Sequence, residues 1–549
     1  MKKILAFALA AIMLMSLMVG CGGSKEPEIV EEPEGHITLT VGVPQSSNIS
    51  SYTDNDFTKW IEEQLDVTLD FVYYSGNSEE SCQQFSLDCA AGKEIPDVVW
   101  GFHGMSNYNL GDLGEDGFVL DLKPYLETNF PNFQEALAEV NERDRKVALE
   151  KGVNPDDGGY YGMPLIALEH VDNLDSMVFI NKAWLDKVGK DMPTTVDERY
   201  DVLVAFRDSD CNGNGKKDEI PMVASSGSCS GLAAWVMNAF MYWDPSNIYN
   251  VDDNGKIYSP IVTDEFRQGL QFLNKLYEEG LFSELSFSGA SYSDYVAMNT
   301  PANNIALTGI IYGHPSIYTD ANSTILDQYT AMPTLADATG KGGYTVFHEN
   351  TIRWISWITT SCDTPKRAMA FLDLMYTDEA MGRMRFGEMG VFWEYGEEGT
   401  NIKGEKTSMH VYDESAFFTG NSTWGINGNC IMNDANYTGV FEYLGDGSRD
   451  DEVSRLMSEL WNEVCLNRNT PKATAEGLIY TSEDFDRRQE LMGRYYSNYA
   501  EPLTLFITGK TDIDDDAAWQ SYVDTLDNLG RSELEQIAQR AYDRQVAGN

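Results

Sequence analysis

Residues 207–221 read RDSDCNGNGKKDEIP, a dense run of hard oxygen donors closed by a proline. Asp208, Asp210 and Asn212 take the first, third and fifth places of a calcium loop. Gly213 takes the sixth, where the backbone must turn sharply, and Asn214 would offer its carbonyl at the seventh. Glu219 sits at the twelfth, the place of a bidentate carboxylate. Oxygens at that spacing suit Ca2+ better than softer or smaller ions. Lys216 and Lys217 oppose the charge, Asp218 offers an alternative ligand, and Pro221 stops a second helix, so the loop is EF-hand-like without being an EF-hand. Read as an acidic Asx turn, the same run holds no metal.

A second stretch, GSCSG at 227–231, has the Gly-x-Cys-x-Gly shape of a nucleophile elbow between a strand and a helix. Cys229 would be the nucleophile and His314, His348 or His410 its base, but spacing alone pairs none of them, and a Ser-Gly turn equally suits a ligand contact. No HExxH, GxxxxGK[ST] or GxGxxG motif occurs. With 87 acidic residues, chance carboxylate pairs are inevitable, so no glycosidase pair stands out. None of these motifs assigns a catalytic site.

These groups need a scaffold. HITLTVGVP and VTLDFVYY alternate as strands, DNDFTKWIEEQL between them reads as a helix capped by Asp54 or Asp56, and PDVVWGF is a third strand after a second helix at 82–91. Strand, helix, strand, helix, strand predicts a parallel sheet wound with helices. Ligands of such sheets sit beyond the carboxyl ends of strands, which points to Gln45 after the first strand and to Trp100 and His103 after the third. Two extended stretches near 160–181, a helix from Lys182, a helix capped by Thr194 or Thr195, the strand IPMVASSG and a buried helix with Trp235 follow. A hairpin at VDDNGKIYSP, an amphipathic helix ending at Gly280, strands in NNIALTGIIYG and RWISWITT and a C-terminal helix complete the pattern.

The chain of 549 residues is long enough for several lobes with substantial cores. Its formal charge of -48 and pI near 4.3 repel phosphate backbones, which speaks against nucleic acid as a partner. Lys2 and Lys3, the short apolar run Ile4–Val19 and then Gly20-Cys21 read as a secretory segment. MVGC resembles a bacterial lipobox with Met18 where Leu is commoner, so residues 1–20 are expected to be a lipoprotein signal peptide, Cys21 its lipid-bearing residue and 21–36 a polar tether. No later run approaches the roughly 18 apolar residues of a membrane span. The seven other cysteines, an odd number at irregular spacing, predict free thiols rather than a disulfide framework.

The order of segments resembles the family 1 extracellular solute-binding proteins, the lipoprotein receptors of bacterial ABC sugar importers. AAGKEIPDVVW is similar to the family's Ala-Gly-x-x-Pro-Asp stretch, GGYYGMPL to its Gly-x-x-Tyr-Gly-x-Pro crossover, and MVFINKAWLDKVGKDMPTTVDER to its Asn-Lys, Gly, Pro-x-Thr segment. CDTPKRAMAFLDLMYTDEA resembles the helix after the return crossing, and FGEMGVFWEYG with LTLFITGKTDIDDDAAWQSYVDTLDNLG resembles a long Gram-positive subgroup. The resemblance implies an α/β, periplasmic-binding-protein-like type II fold: two lobes, a hinge and an interlobe cleft. Lobe one would be 37–165 plus about 350–390, and lobe two 166–349 plus about 391–549.

A sugar cleft needs aromatic platforms and hydrogen-bonding edges. By position in the family, Trp100 and His103 fall in a ligand-contacting loop, Tyr312 where relatives stack a Trp, and Ser226 and Gly227 where relatives touch hydroxyls. Trp354 and Trp357 lie near the return crossing, and Trp393 where the subgroup often has an aromatic. The implied protein is a monomer, lipid-anchored on the extracellular face of a Gram-positive-type cell membrane. It captures a carbohydrate, expected as an oligosaccharide, for an ABC permease, with Ca2+ as a structural cofactor. A glycan hydrolase and a binder of peptide or another solute are the open alternatives.

Overall fold

The computed structural model describes residue 32 and residues 34–548, except 47–48, 141, 168–173, 176, 225–228, 288–291, 300–304, 320–323, 338–339, 341, 349–350, 402–405, 414–420, 426–427, 433–439, 442–448 and 476. The expected lipidation site Cys21, and Ser226 and Gly227, lie outside the described residues.

The alternating segments become strands paired as expected. Ile37–Pro44 runs parallel to Val67–Tyr74 and to Val98–Val99. Leu39, Val41 and Val43 are buried within this sheet. Asn55, between the two candidate aspartates, caps the helix Asp56–Leu65 by accepting from the Phe57 N–H at 3.0 Å. That helix lays Phe57 and Ile61 on the sheet. Thr195 and Glu198 close the capping box that starts the helix Val196–Asp208.

The two lobes have separate sheets. The first has six strands in the order Cys430–Met432, Met163–Ala167, Thr351–Ile358, Val98–Val99, Ile37–Pro44, Val67–Tyr74, with Thr351–Ile358 antiparallel to both neighbours. The second has four, in the order Tyr329–Ala331, Val178–Asn181, Thr308–Tyr312, Ile220–Ala224. There Ile220–Ala224 and Thr308–Tyr312 are parallel, while Val178–Asn181 opposes its neighbours. Two crossing segments meet between the sheets: Leu174 bridges Phe347 antiparallel, and the Asp175 N–H donates to the Val346 carbonyl at 3.1 Å.

One expectation is corrected. Residues 391–549 do not all join lobe two. Cys430–Met432 pairs parallel with Leu165–Ala167, on the side of that strand left open by Thr351–Ile358. Trp424 is buried in the first core, edge-on to Trp100 at 5.0 Å and Phe57 at 5.3 Å, its indole N–H donating to Thr58 Oγ1 at 2.8 Å. Trp393–Thr400, Lys406–Val411 and Val440–Phe441 form a small sheet of their own. The long helix Ser482–Ile507 and the helices Asp516–Asn528 and Arg531–Gly548 cover lobe two, burying Tyr495, Phe506 and Tyr522 in its core.

Candidate functional site

The carboxyl ends of the parallel strands in both sheets face the crossing segments, the side where the strand rule puts ligands. Two cavities border segment 469–479, the larger taking in Tyr344 of the second crossing segment and the smaller His103 beyond the strand Val98–Val99. The larger, of about 950 Å3, belongs to lobe two and is lined by Tyr242, Asp244, Tyr249, Asn250, Tyr344 and Asn469 among others. The smaller, of about 360 Å3, lies between lobe one and that segment, with His103, Tyr108, Lys151, Arg353, Trp354 and Phe485 in its wall.

Asn238 organises the larger cavity. The helix Cys229–Met237 ends beside it, and its buried amide donates to the Ala234 and Trp243 carbonyls at 2.8 and 2.7 Å while accepting from the Trp243 N–H at 3.0 Å. That closes the turn that carries Tyr242 and Asp244 into the wall. Its own carbonyl accepts from the Tyr344 N–H at 3.0 Å, so the second crossing segment is tied to the same turn. Tyr242 and Tyr344 meet edge to face at 6.0 Å. The Thr345 N–H donates to the Asn469 carbonyl at 2.8 Å, which brings segment 469–479 alongside. In the smaller cavity, the Tyr108 hydroxyl donates to the Tyr480 carbonyl at 2.9 Å and accepts from the Tyr480 N–H at 2.7 Å, while its ring stacks on Phe485 at 4.2 Å.

Electrostatics mark the hinge. Burial, then the neighbouring Asp244 carboxylate, push the Asp175 carboxyl up from its ordinary 3.8 to about 6. Asp175 Oδ2 is buried without a hydrogen-bond partner. The Tyr312 hydroxyl donates to the Asp175 carbonyl, and the Tyr312 carbonyl accepts from Tyr318 at 2.6 Å.

The structure brings together some of the sequence candidates and disperses others. His103 and Trp354 share the smaller cavity, Trp354 being 9 % exposed. Gln45 is exposed at the end of its strand and lines neither cavity; its N–H donates to the Tyr74 carbonyl at 3.0 Å. Tyr312 is buried and its hydroxyl is committed to the hinge, so its ring presents no face to a ligand here. Trp100 and Trp357 are wholly buried in the first core, Trp357 against Phe85 at 5.3 Å and Phe102 at 5.5 Å. Trp393 is wholly buried too, its indole N–H donating to the Gly387 carbonyl at 2.9 Å. Trp100 follows a strand, Trp357 lies within one and Trp393 begins one, and each faces inward, which the strand's facing decides and ring type does not. The sequence reading missed Tyr242, Asp244, Asn250 and Tyr344. A signal was present in MYWDPSNIYN, where aromatic, amide and carboxylate groups interleave just after a buried helix.

In the 207–221 loop one of the expected donors stands apart from the others. Asp208 is turned away, paired in a fork with Arg207 at 2.9 and 3.1 Å. Asp210, Asn212, Asn214, Asp218 and Glu219 face one another instead. Asp218 accepts from the Asn212 and Asn214 amides at 3.2 and 3.0 Å, Glu219 Oε1 from the Asn212 N–H at 3.3 Å, and Asp210 Oδ2 from the Gly215 N–H at 3.1 Å. Gly213 and Gly215 adopt φ of 74° and 80°, the left-handed turns that fold the loop onto itself. Asp210 Oδ1 and Glu219 Oε2 are buried with no donor, the condition that a hard cation relieves. The carboxylates alone do not converge: among the described residues no group of three or more His, Cys, Asp or Glu could hold a metal without the amides.

Residues 45–382 match the family model described as bacterial extracellular solute-binding protein. The fructooligosaccharide ABC transporter substrate-binding protein FusA of Streptococcus pneumoniae is 28 % identical over 242 residues, 43 % of this chain and 43 % of FusA. Lipoprotein LipO of Bacillus subtilis is 27 % identical over 336 residues, 60 % of this chain and 58 % of LipO. The chain thus spans about half the length of these curated relatives by sequence. The solved structure of FusA with kestose superposes with a TM-score of 0.73 at 19 % identity, covering 93 % of this chain and 100 % of that one. An EF-hand mutant of FusA in complex with fructo-nystose superposes with the same score.

Proposed function

Because the chain belongs to the bacterial extracellular solute-binding proteins, we propose that it captures a carbohydrate outside the cell and delivers it to an ABC transporter permease. The observation that carries this is the larger cavity, where Tyr242 and Tyr344 supply apolar faces and Asn250, Asn469 and Asp244 supply hydrogen-bonding edges. FusA, whose fold this chain shares over nearly its full length, is a fructooligosaccharide-binding protein of the same transport class. Capture proceeds by closure of the two lobes about the crossing segments, with ligand favouring the closed form. Cys21 carries the lipid that holds the protein to the membrane, and it acts as a monomer.

The loop holds a structural Ca2+ through Asp210, Asn212, Asn214, Asp218 and Glu219. When bound, the ion offsets two of the three carboxylate charges and fixes the start of the strand Ile220–Ala224. That strand leads directly into Ser226 and Gly227. The EF-hand of FusA supports this reading by analogy.

The test is calorimetric titration of the purified protein with a panel of fructo-, malto-, galacto- and manno-oligosaccharides, with chromatography of the sugar afterwards. Saturable binding with intact sugar supports capture. Cleaved sugar points to a hydrolase, and silence across the panel, with binding to peptides, overturns the carbohydrate reading.

A further inference from the structure

The larger cavity is unevenly supplied with hydrogen-bonding groups. Asn250 is 6 % exposed, and its amide nitrogen donates to the Tyr242 carbonyl at 2.6 Å. That carbonyl can only accept, so the amide cannot turn over. Asn250 Oδ1 is left buried without a partner in the cavity wall. Around it stand four carboxylates, Asp244, Asp252, Asp253 and Glu265, against one ammonium, Lys472. Asp244 is 5 % exposed and lies deep in the wall. Asp252 accepts from the Asn254 and Lys256 N–H groups, both at 2.8 Å, which holds it in the ionised form. The wall therefore offers an excess of acceptors and negative charge, with the unpartnered Tyr249 hydroxyl as a buried donor beside them, and it favours donors in whatever enters.

We infer that this cavity reads neutral glycans through their hydroxyl hydrogens and excludes glycans that carry carboxylates. The inference rests on the carbohydrate reading above and narrows it. A sugar hydroxyl can donate to Asn250 Oδ1 and to Asp244. A uronate carboxylate is an acceptor only; it leaves Asn250 unsatisfied and sets like charges face to face. The smaller cavity has the opposite sign, with His103, Lys151 and Arg353, so the exclusion belongs to the larger cavity alone.

The experiment compares the best-binding member of the neutral tri- to pentasaccharide panel with the same sugar oxidised at one primary alcohol to a uronic acid. Binding to the full chain is measured at low and at physiological salt. The oxidised form is expected to bind at least about a hundredfold more weakly at low salt, with the gap narrowing as salt screens the wall. In the triple variant Asp252→Asn, Asp253→Asn, Glu265→Gln the ratio between the two sugars is expected to fall at least about tenfold. Equal or tighter binding of the oxidised sugar overturns the inference and leaves carbohydrate capture standing, as does a ratio unmoved by the triple variant. Failure of every sugar in both forms overturns the capture reading itself.

Discussion

Replacing Asp175 by Asn should stabilise this protein at neutral pH and do almost nothing at pH 4. Asp175 sits at the crossing beside the bridge from Leu174 to Phe347, and burial together with Asp244 pushes its carboxyl from 3.8 to about 6. Because the folded value is raised, the folded state holds this proton more tightly than the unfolded chain does. Below pH 3.8 both states are protonated and the site costs nothing. Above pH 6 both are ionised, and the fold bears the whole cost of a buried, poorly partnered carboxylate, about 3 kcal/mol as an upper bound. Asn keeps the shape and removes the charge. The stability gain of Asp175→Asn over the parent, measured by urea unfolding, should therefore approach about 3 kcal/mol at pH 7.5 and fade through the window from 6 to 4. Asp244→Asn removes the second cause and should move the midpoint of that window downward. A gain independent of pH, or a loss of stability at pH 7.5, would refute the reasoning.

Three further perturbations follow from the geometry. Trp100→Ala and Trp357→Ala should each cost about 3–5 kcal/mol of stability, since both rings are core; lost sugar affinity at unchanged stability would return them to the cleft. Chelation with EGTA should lower the melting temperature, Asp210→Ala and Glu219→Ala should abolish that chelator-sensitive step, and Asp208→Ala should leave it, because Asp208 is held by Arg207. Arg199 is wholly buried, its three guanidinium nitrogens have no hydrogen-bond acceptor among the described residues, and the rings of Trp235 at 4.9 Å and Phe272 at 5.5 Å lie beside it. Arg199→Met should leave thermal stability unchanged or raise it by about 1–3 kcal/mol; a loss would mean the cation–π contacts outweigh desolvation.

Local rules carried much of the fold. Alternation in HITLTVGVP and VTLDFVYY, the Thr195–Glu198 box and the Asp-Asn-Gly hairpin all acted over a few residues, and each appears where its chemistry demands. Long-range pairing was not legible. Nothing in CIM at 430–432 distinguishes a strand of lobe one from one of lobe two, because the choice is made by which sheet edge is open. The site divided on the same line. The strand-end rule pointed to His103 and nearness to the return crossing to Trp354, and both line the smaller cavity. Trp100, Trp357 and Trp393 misled because an aromatic near a cleft and an aromatic beneath it look alike until the facing of each strand is known. In the 207–221 loop the spacing put Asp208 at the first place, but Asp208 pairs with Arg207, a matter of neighbouring side chains that spacing does not reveal.

The strand Thr351–Ile358 lies between Met163–Ala167 and Val98–Val99, with Cys430–Met432 on the outer side. A chain delivered across a membrane from its amino end therefore cannot assemble its first sheet in order of arrival. When residue 167 has emerged, one of the two strands beside Val98–Val99 is still missing, and Met163–Ala167 has neither of its neighbours. The sheet becomes continuous only after residue 358 has crossed, and complete only after residue 432. Lobe two, whose four strands all fall between 178 and 331, has its whole sheet available earlier. The lobe that begins the chain thus completes its sheet after the lobe that follows it, a consequence of pairing strands far apart in sequence.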